Sequence, residues 1–420
     1  MTLESGGPNG DSSSMSIFAQ ARMPSSALIE KLLRNVVDDS ATVLDERTVE
    51  VFCARLRESA LVLSQFSLAA NPVDRAESFR YLLTMLAYSI DAGILNSDPL
   101  EPVFSAPYRL HLLDWGAASP DGVYRRAMVR DDRAYRVHGT LGNVNYFSMD
   151  FRQSTPATTI LREDLDLDEE GNFEIFLGGE PRDNQWWPLH PGTTGLVTRE
   201  LFDDWLGARR SHLRIACIDG QTAPRHEHRA SRVAAEFDLV GDWVLEGAVR
   251  FWMDRSRDLA AKQENRFDSQ LHRTETKLPV TTFGWWKLAP NEALVIELID
   301  PEAAYWGLQL ATSLWHTLDY ANRLTTINPA QAHRDDDGVY RFVLAHADPG
   351  VYNWLDTTGL EQGVLILRLC GATKPVSPKC RLVEVAEIGA TVSISKPCDA
   401  DQRRVQLAER REGVARLLLD

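Results

Sequence analysis

The chain lacks the features that would tie it to nucleic acid or to a membrane. Its 45 basic residues stand against 60 acidic ones, and a formal net charge of -15 repels a phosphate backbone. No apolar run approaches the roughly 20 residues that span a bilayer. Residues 1–15 carry neither the basic nor the apolar region of a secretory signal. We therefore predict a cytoplasmic protein with no nucleic-acid or membrane partner.

Paired cysteines and cofactor signatures are also absent. The five cysteines are scattered and form no C-x-x-C pair, so neither a disulfide scaffold nor a zinc ribbon is indicated. Cys370 and Cys380 could close a short loop, although cytosolic thiols are generally reduced. The patterns G-x-x-x-x-G-K-S/T, G-x-S-x-G and H-E-x-x-H do not occur, and no G-x-G-x-x-G follows a strand. We predict no cofactor.

What the chain does have is enough apolar sequence for two or three compact domains. Its 420 residues are 44% hydrophobic. Residues 1–24, rich in Gly, Ser and Pro, predict a flexible tail, and residues 25–102 carry apolar side chains at helical spacing, which predicts a helical N-terminal region. Helical spacing returns over 219–277, a predicted linker. Residues 376–420 form a C-terminal extension that ends in a helix.

Two segments, 103–218 and 278–375, have the pattern of β domains. Each contains short runs of alternating apolar residues, separated by turn signals such as S-P-D-G at 119–122. Strands at intervals of about ten residues indicate a sandwich or jelly roll. The expected fold class is mainly β with α, with two jelly-roll or β-sandwich domains. W-W-P-L-H-P at 186–191 and W-W-K-L-A-P at 285–290 suggest the hypothesis that the two halves share a fold.

The first candidate site residue is Glu297. The D-P-E-A stretch at 300–303 predicts a turn that joins two antiparallel strands. Alternation would then bring Glu297 close to Tyr305 and Gln309 if the turn is tight. A carboxylate among apolar neighbours can serve in proton transfer. The alternative is a strand glutamate that faces solvent or pairs with an arginine.

A second candidate lies where the strand V-Y-R-F-V-L-A-H-A-D runs into D-P-G. Phe342 and Leu344 would face the core, which leaves His346 and Asp348 at the rim of the sandwich, where ligands often bind. Asp348 can equally cap its own turn. Within seventy residues fall eight aromatics that could stack on a sugar ring or simply fill the core, namely Trp285, Trp286, Tyr305, Trp306, Trp315, Tyr320, Tyr352 and Trp354.

Two segments have partial metal-binding spacing. His226-Glu-His228 resembles half of a cupin motif, but the segment has helical spacing, and residues at i and i+2 of a helix point apart. Asp164, Asp166 and Asp168 have EF-hand-like spacing without the glycine and closing glutamate of that motif. We predict no metal site, and weak calcium binding at the three aspartates is left open.

The stretches Y-W-G-L-Q-L-A-T-S-L-W-H-T-L-D-Y-A-N-R-L-T-T-I-N-P-A-Q-A and D-D-D-G-V-Y-R-F-V-L-A-H-A-D-P-G-V-Y-N-W-L-D-T-T-G resemble a bacterial family catalogued as domain of unknown function 1214. The resemblance covers roughly 280–372. It implies two jelly-roll-type domains joined by helices, an arrangement also seen in some carbohydrate-active enzymes, but no reaction. The positions that match the family pattern are Glu297, Gln309, Trp315, Asn328, Gln331, His346, Asp348, Pro349, Gly350, Asn353, Trp354 and Asp356.

The leading hypothesis is an enzyme of the hydrolase or lyase type that acts on a small hydroxylated or glycosidic molecule. Its aromatic-lined cleft would lie in the second β domain, with acid/base carboxylates. The predicted catalytic residues are Glu297, His346, Asp348 and Asp356. The predicted substrate-binding residues are Gln309, Trp315, His316, Asn328, Gln331, Asn353 and Trp354. The alternative is a non-catalytic binding or scaffold protein, which would be favoured if Glu297, His346 and Asp356 lie in different environments. A homo-oligomer is left open.

Overall fold

A computed structural model describes residues 44–69, 71–91, 94, 98–105, 115–154, 156–219, 230–268, 280–372 and 376–419. The predicted tail, the start of the helical region and His226 to His228 lie outside these ranges. The helices are α1 (Glu46–Ser64), α2 (Pro72–Ile90), α3 (Ala230–Asp242), a π-helical segment (Trp243–Arg250) that leads into α4 (Phe251–Lys262), α5 (Ile388–Thr391) and α6 (Ala400–Leu419).

The strands of the first β region build a sandwich of two four-stranded sheets. They are β1 (Gly122–Met128), β2 (Tyr135–Thr140), β3 (Tyr146–Arg152), β4 (Thr159–Leu161), β5 (Asn172–Leu177), β6 (Trp186–Trp187), β7 (Gly195–Leu201) and β8 (His212–Cys217). One sheet has the order β1-β7-β3-β4 and the other β6-β5-β2-β8. Alternation sends Phe173 and Ile175 of β5 inward, where they meet Phe147 and Leu196 of the facing sheet.

A second sandwich has the same strand order. Its strands are β10 (Val280–Lys287), β11 (Glu292–Ile299), β12 (Tyr305–Ala311), β13 (Thr326–Ile327), β14 (Val339–Ala345), β15 (Trp354–Asp356), β16 (Gln362–Cys370) and β17 (Lys379–Glu384), with the short β9 (Arg266–Phe267) before them. The sheets read β10-β16-β12-β13 and β15-β14-β11-β17, so every strand matches the one nine places earlier. The mainly β class with two β-sandwiches is confirmed. The shared topology supports the hypothesis of two similar halves.

The sequence echo that suggested the repeat does not mark equivalent strands. Trp186 and Trp187 form β6, a half-buried edge strand parallel to β5. Trp285 and Trp286 lie fully buried in β10, whose counterpart is β1. The likeness of the two hexapeptides is therefore local, and the relation between the halves appears only in the strand pairing.

The D-P-E-A stretch does not close a hairpin, and that expectation was wrong. β11 pairs with β14 and β17, whereas β12 pairs with β13 and β16 in the facing sheet. The stretch carries the chain from one layer of the sandwich to the other, so Glu297 and Gln309 belong to different sheets. Alternation fixes the face of each residue, but it does not say which strand lies beside it.

The helices cover the outer face of the β10-β16-β12-β13 sheet. Tyr81 of α2 and Trp252 of α4 share a buried cluster with Trp285 and Trp315. α2 begins with a strong start signal, because the side chain of Asn71 accepts hydrogen bonds from the backbone N–H groups of Val73 and Asp74. None of the helices in the described ranges is long and apolar enough to cross a bilayer.

The C-terminal extension contributes to both sandwiches. β17 is an edge strand of the second one, which therefore continues past residue 375. α6 forms where the sequence predicts a helix, and its residues Val414, Leu417 and Leu418 enter the core of the first sandwich. All five cysteines are free thiols.

Candidate functional site

Glu297 lies on the outer face of β11, where it forms an ion pair with an arginine. Its Oε1 is 3.4 Å from Nε of Arg341, which stands directly opposite on β14. The same guanidinium also binds Asp335 at 2.9 Å and Asp337 at 2.6 Å. The carboxylate is therefore part of a charge network at a sheet surface. This arrangement matches the alternative of an arginine-paired strand glutamate.

His346 and Asp348 hold the chain around the loop that follows β14. Nδ1 of His346 lies 2.9 Å from the Thr357 hydroxyl, and its Nε2 lies 3.3 Å from the Leu288 carbonyl oxygen. Asp348 accepts two hydrogen bonds from the guanidinium of Arg403, at 2.8 and 3.0 Å, and one from the backbone N–H of Gly350. Asp348 thus caps its turn and fastens α6 to it.

Asp356 is buried at the end of β15, and both of its oxygens have partners. Oδ2 accepts from the Arg323 guanidinium at 2.9 Å, and Oδ1 accepts from the backbone N–H of Thr358 at 2.7 Å. The predicted catalytic residues therefore do not share one set of contacts, because each carboxylate pairs with a different arginine. Glu297 pairs with Arg341, Asp348 with Arg403 and Asp356 with Arg323.

Three predicted binding residues lie instead against the helices and the first sandwich. Gln309 is buried, donates to the carbonyl of Ala118 at 3.1 Å and accepts from Arg368. The indole N–H of Trp315 donates to Ser256 at 3.0 Å, and the ring stacks on Trp252 with centroids 4.6 Å apart. His316 is buried and meets the ring of Tyr81 edge to face.

The other predicted binding residues also make structural contacts. The side chain of Asn353 accepts from the backbone N–H of His333 and donates to the carbonyls of His333 and Arg341. The indole N–H of Trp354 donates to the Ala345 carbonyl. Of the eight clustered aromatics, six are buried, namely Trp285, Trp286, Tyr305, Trp306, Trp315 and Tyr320. These six side chains fill the core, which was the alternative to an aromatic-lined cleft.

Of the remaining two, Asn328 belongs to a polar cluster where the two sandwiches meet, and Gln331 contacts that cluster through Arg410. We call it the junction cluster, and it consists of Asp121, Trp205, Tyr305, Asn328 and Arg410. The Asp121 carboxylate is completely buried and accepts hydrogen bonds from the Trp205 indole, the Tyr305 hydroxyl and the Asn328 amide, each at 2.7 Å. Burial raises the pKa of Asp121 above its usual range, and these three donors and Arg410 oppose that rise.

Arg410 brings α6 into the junction cluster. It donates to the carbonyls of Tyr320 and Thr326 at 2.5 and 2.8 Å and to Oε1 of Gln331 at 3.2 Å, and it lies over the Trp205 ring. Burial lowers its pKa to about 10. Sequence reasoning missed Asp121, because S-P-D-G at 119–122 has the composition of an ordinary turn. The junction cluster therefore connects both sandwiches and α6 through hydrogen bonds. Most of the donors and acceptors of its side chains are already used in these bonds.

An open groove of about 870 Å³ lies on the outer face of the first sandwich. We call it the first-sandwich groove. The strands β2, β5 and β8 form its floor, and its polar lining includes Arg136, His138, Asn172, Glu174, His212 and Arg214. The register places Glu174, His138 and Arg214 in one row across the three strands, and Asn172, Thr140 and His212 in the next. The signal in the sequence was the alternation of polar and apolar residues along R-V-H-G-T and H-L-R, which places the polar side chains of both strands on one face of the sheet.

Part of this lining is already paired. Arg136 binds Glu174 at 2.5 Å. Beneath the groove Arg125 binds Glu200, both buried, and donates to the Ser211 carbonyl.

Three side chains of the first-sandwich groove keep free hydrogen-bonding capacity. In the described part of the chain, the side chains of His212 and Arg214 make no hydrogen bond or ion pair. Nδ1 of His138 is buried without a partner there. The lining therefore has two sides. Asn172 and Glu174 on the β5 side are paired with residues of β2, whereas the β8 side carries a cation and a histidine without partners among the described residues.

Two of the three aspartates with EF-hand-like spacing have other uses. Asp164 accepts from the backbone N–H of Leu161, and Asp168 accepts from those of Glu170 and Asn172. Asp166 is exposed at the groove. Over the described ranges, no three His, Cys, Asp or Glu side chains are grouped so that they could hold a metal ion.

Comparison with known proteins identifies a similar fold. The sequence matches no family model and no curated protein. Among solved structures, it is similar to an uncharacterized protein from Burkholderia cenocepacia, which is 26% identical with a TM-score of 0.74 over 81% of this chain and 98% of that chain. A protein from Vibrio parahaemolyticus aligns over 73% of this chain and 98% of that chain at 11% identity with a TM-score of 0.42.

Proposed function

We propose that this protein is a non-catalytic binding protein that holds a small, hydroxylated molecule in the first-sandwich groove. One observation carries the proposal. Each predicted acid/base group of the second sandwich is engaged by a different structural partner, whereas the groove offers uncommitted polar side chains. A hydrolase or lyase needs an acid and a base that converge on one reacting bond.

The groove suits a ligand held by hydrogen bonds more than one held by stacking. Its lining contains one aromatic residue, Phe173, whose ring is buried in the core below. Arg214 and His212 supply donors for hydroxyl groups. Glu174 pairs with Arg136 through Oε2 and keeps Oε1 as an acceptor, and Asn172, which bonds Thr140 and Asp168, keeps one amide hydrogen. The cytoplasmic location and the resemblance to the domain-of-unknown-function family stand beside this proposal as predictions of the sequence, and a homo-oligomer is left open.

A ligand-stabilisation screen on the full chain tests the function. A ligand at 100 times its Kd that binds only the folded state adds about 2.7 kcal/mol to the free energy of unfolding. We expect a hydroxylated, polar compound to raise Tm, and we expect Asn172→Ala or Glu174→Gln to reduce that shift. Asp356→Asn is the matched control in the second sandwich, and it should leave the ligand-induced shift unchanged.

The same compounds should be assayed for turnover, including chromogenic glycosides. Turnover that disappears in Asp356→Asn or Glu297→Gln while the fold is retained would overturn the proposal and restore the hydrolase or lyase hypothesis.

A further inference from the structure

The spacing of three side chains in the first-sandwich groove matches a single oxyanion. His138 stands directly opposite Arg214, and Thr140 opposite His212, on the same face of the sheet. Opposed side chains begin about 5 Å apart, and diagonal neighbours about 7–8 Å apart. His138, His212 and Arg214 therefore surround an area comparable to a phosphate or carboxylate group, and the Thr140 hydroxyl at its edge already donates to Oδ1 of Asn172.

Some charged side chains of the groove are already in ion pairs, and one is not. Arg136 is bound by Glu174, and Arg125 by Glu200, so neither guanidinium is free for a ligand. Arg214 has no such partner within the described residues. Its planar guanidinium can donate two parallel hydrogen bonds to one oxyanion, which is the geometry that arginine offers to phosphates and carboxylates.

The opposite side of the groove is acidic. Glu174 and Asn172 lie on β5, and Asp166 and Asp168 precede that strand. Like charge would keep an anionic group away from this side, while Asp166 and the Oε1 atom of Glu174, which Arg136 does not contact, can accept hydrogen bonds from hydroxyl or amino groups. The groove is thus polarised across the sheet, from cation-bearing β8 to acid-bearing β5.

The fold itself does not require a polar groove at this place. Part of the equivalent face of the second sandwich carries Ala293, Val295 and Val343, and this part is closed by Ile388 and Val392 of the segment that contains α5. The rest of that face carries the Glu297–Arg341 ion pair. Since the same topology forms with a partly apolar, covered face, the histidines and Arg214 are not needed to form the sheet.

We propose, on the basis of the proposed function, that His138, His212 and Arg214 form an oxyanion subsite of the first-sandwich groove. The ligand is a small hydroxylated molecule with a phosphate or carboxylate group. That group lies between β2 and β8, and the hydroxyl groups lie towards Glu174 and Asn172. This subsite accepts one charged group and is compatible with the chain's strongly negative net charge, which disfavours extended polyanions.

The test uses the full chain, inorganic phosphate and acetate, each titrated by calorimetry at constant ionic strength set with chloride. We expect saturable binding of at least one anion, with a Kd on the order of 1 mM or tighter. Arg214→Gln should weaken it by on the order of tenfold or more, because a hydrogen bond to a charged group is lost. Binding of phosphate alone identifies a phosphate ester as the ligand class, and binding of acetate alone identifies a carboxylate.

Arg209→Gln is the matched control, since Arg209 is also exposed, precedes β8 and does not line the groove. It should leave the affinity unchanged. Imidazole NMR signals provide a second readout, and those of His138 and His212 should shift with anion concentration more than that of His333. Absence of saturable binding of either anion, or equal losses in the Arg214 and Arg209 variants, overturns the subsite.

The two proposals fail in distinguishable ways. If a neutral hydroxylated ligand binds through Asn172 and Glu174 but neither anion binds, the binding function stands and the oxyanion subsite falls. If the anion binds through Arg214 but glycoside turnover depends on Asp356, the subsite stands and the non-catalytic function falls.

Discussion

The two sandwiches use one topology but treat the same outer face differently. In the second sandwich, part of this face consists of alanine and valine side chains that the α5 segment covers, and the Glu297–Arg341 ion pair lies beside them. In the first, β2, β5 and β8 present Arg136, His138, Thr140 and Glu174, and the face lies open. The strand order is therefore compatible with both kinds of face, and the outward residues decide whether the face is buried by the chain or left open to a ligand.

A similar contrast separates the junction cluster from the first-sandwich groove. Both collect polar side chains from several strands. In the junction cluster, three donors meet one buried carboxylate, and removal of that carboxylate would leave buried hydrogen-bonding capacity unsatisfied. In the groove, His212 and Arg214 make no such bond within the described chain. The first arrangement stabilises the fold, and the second is available for binding.

The largest effect is expected from Asp121→Ala in the junction cluster. The substitution removes the shared acceptor of three buried donors, leaves Arg410 without the opposing charge, and leaves the Trp205 indole without an acceptor, whereas Tyr305 keeps Ser119 and Asn328 keeps the Asp203 carbonyl as partners. Losses of this kind cost roughly 3–5 kcal/mol. Urea unfolding monitored by tryptophan fluorescence should show this decrease in the free energy of unfolding. The exposed Asp166→Ala in the groove is the control, with a change within about 0.5 kcal/mol. A loss below about 1 kcal/mol for Asp121→Ala would contradict the assigned role of the cluster.

The next effect should come from Ile388→Ala, which weakens the cover over the second sandwich. Ile388 is 4% exposed and packs on the apolar outer face. Removing a buried isoleucine side chain to alanine costs roughly 2–4 kcal/mol. Ile299→Ala on the same sheet is the control, because Ile299 is 71% exposed, and it should change stability by at most about 0.5 kcal/mol. Equal effects would show that α5 does not stabilise this face.

Asp74 extends the comparison to a buried carboxylate with fewer donors than Asp121. Burial, followed by the charges of Glu361 and Glu77, raises the pKa of Asp74 from 3.8 to about 7. Between these values the folded chain keeps a proton that the unfolded chain has released. The free energy of unfolding should therefore fall as pH rises from about 4 to about 7.

Asp74→Asn should remove this part of the pH dependence, because the amide does not ionise. Chemical unfolding at a series of pH values measures the slope. The exposed Asp45→Asn is the control, and its slope should match that of the unchanged chain. A wild-type slope retained in Asp74→Asn would show that another group causes it.

The smallest change in stability is expected for Arg214→Gln, although we expect it to have the largest effect on anion affinity. Arg214 is exposed and unpaired in the described structure, so the free energy of unfolding should change by no more than about 0.5 kcal/mol. Thermal unfolding without added anion provides the measurement. A loss above about 1 kcal/mol would assign Arg214 a structural role and remove its contrast with Asp121.

Predictions for single residues agreed with the structure better than the prediction that these residues form one site. That Asp348 caps a turn, that Glu297 pairs with an arginine and that most clustered aromatics fill the core were all alternatives drawn from short stretches of sequence. The postulated meeting of Glu297 with Gln309 failed, because it depended on which strands pair. Asp121 was overlooked because its three donors come from residues 205, 305 and 328.

The sequence by itself determined the two β regions, the helices between and after them, and the side-chain alternation along the strands, because these depend on neighbours within a few residues. Only the tertiary structure decided that the halves share a strand order, that α6 enters the junction cluster and that β2, β5 and β8 form an open polar face. These features depend on contacts between residues far apart in the chain, and the energies that select among strand partners are properties of the whole packed structure.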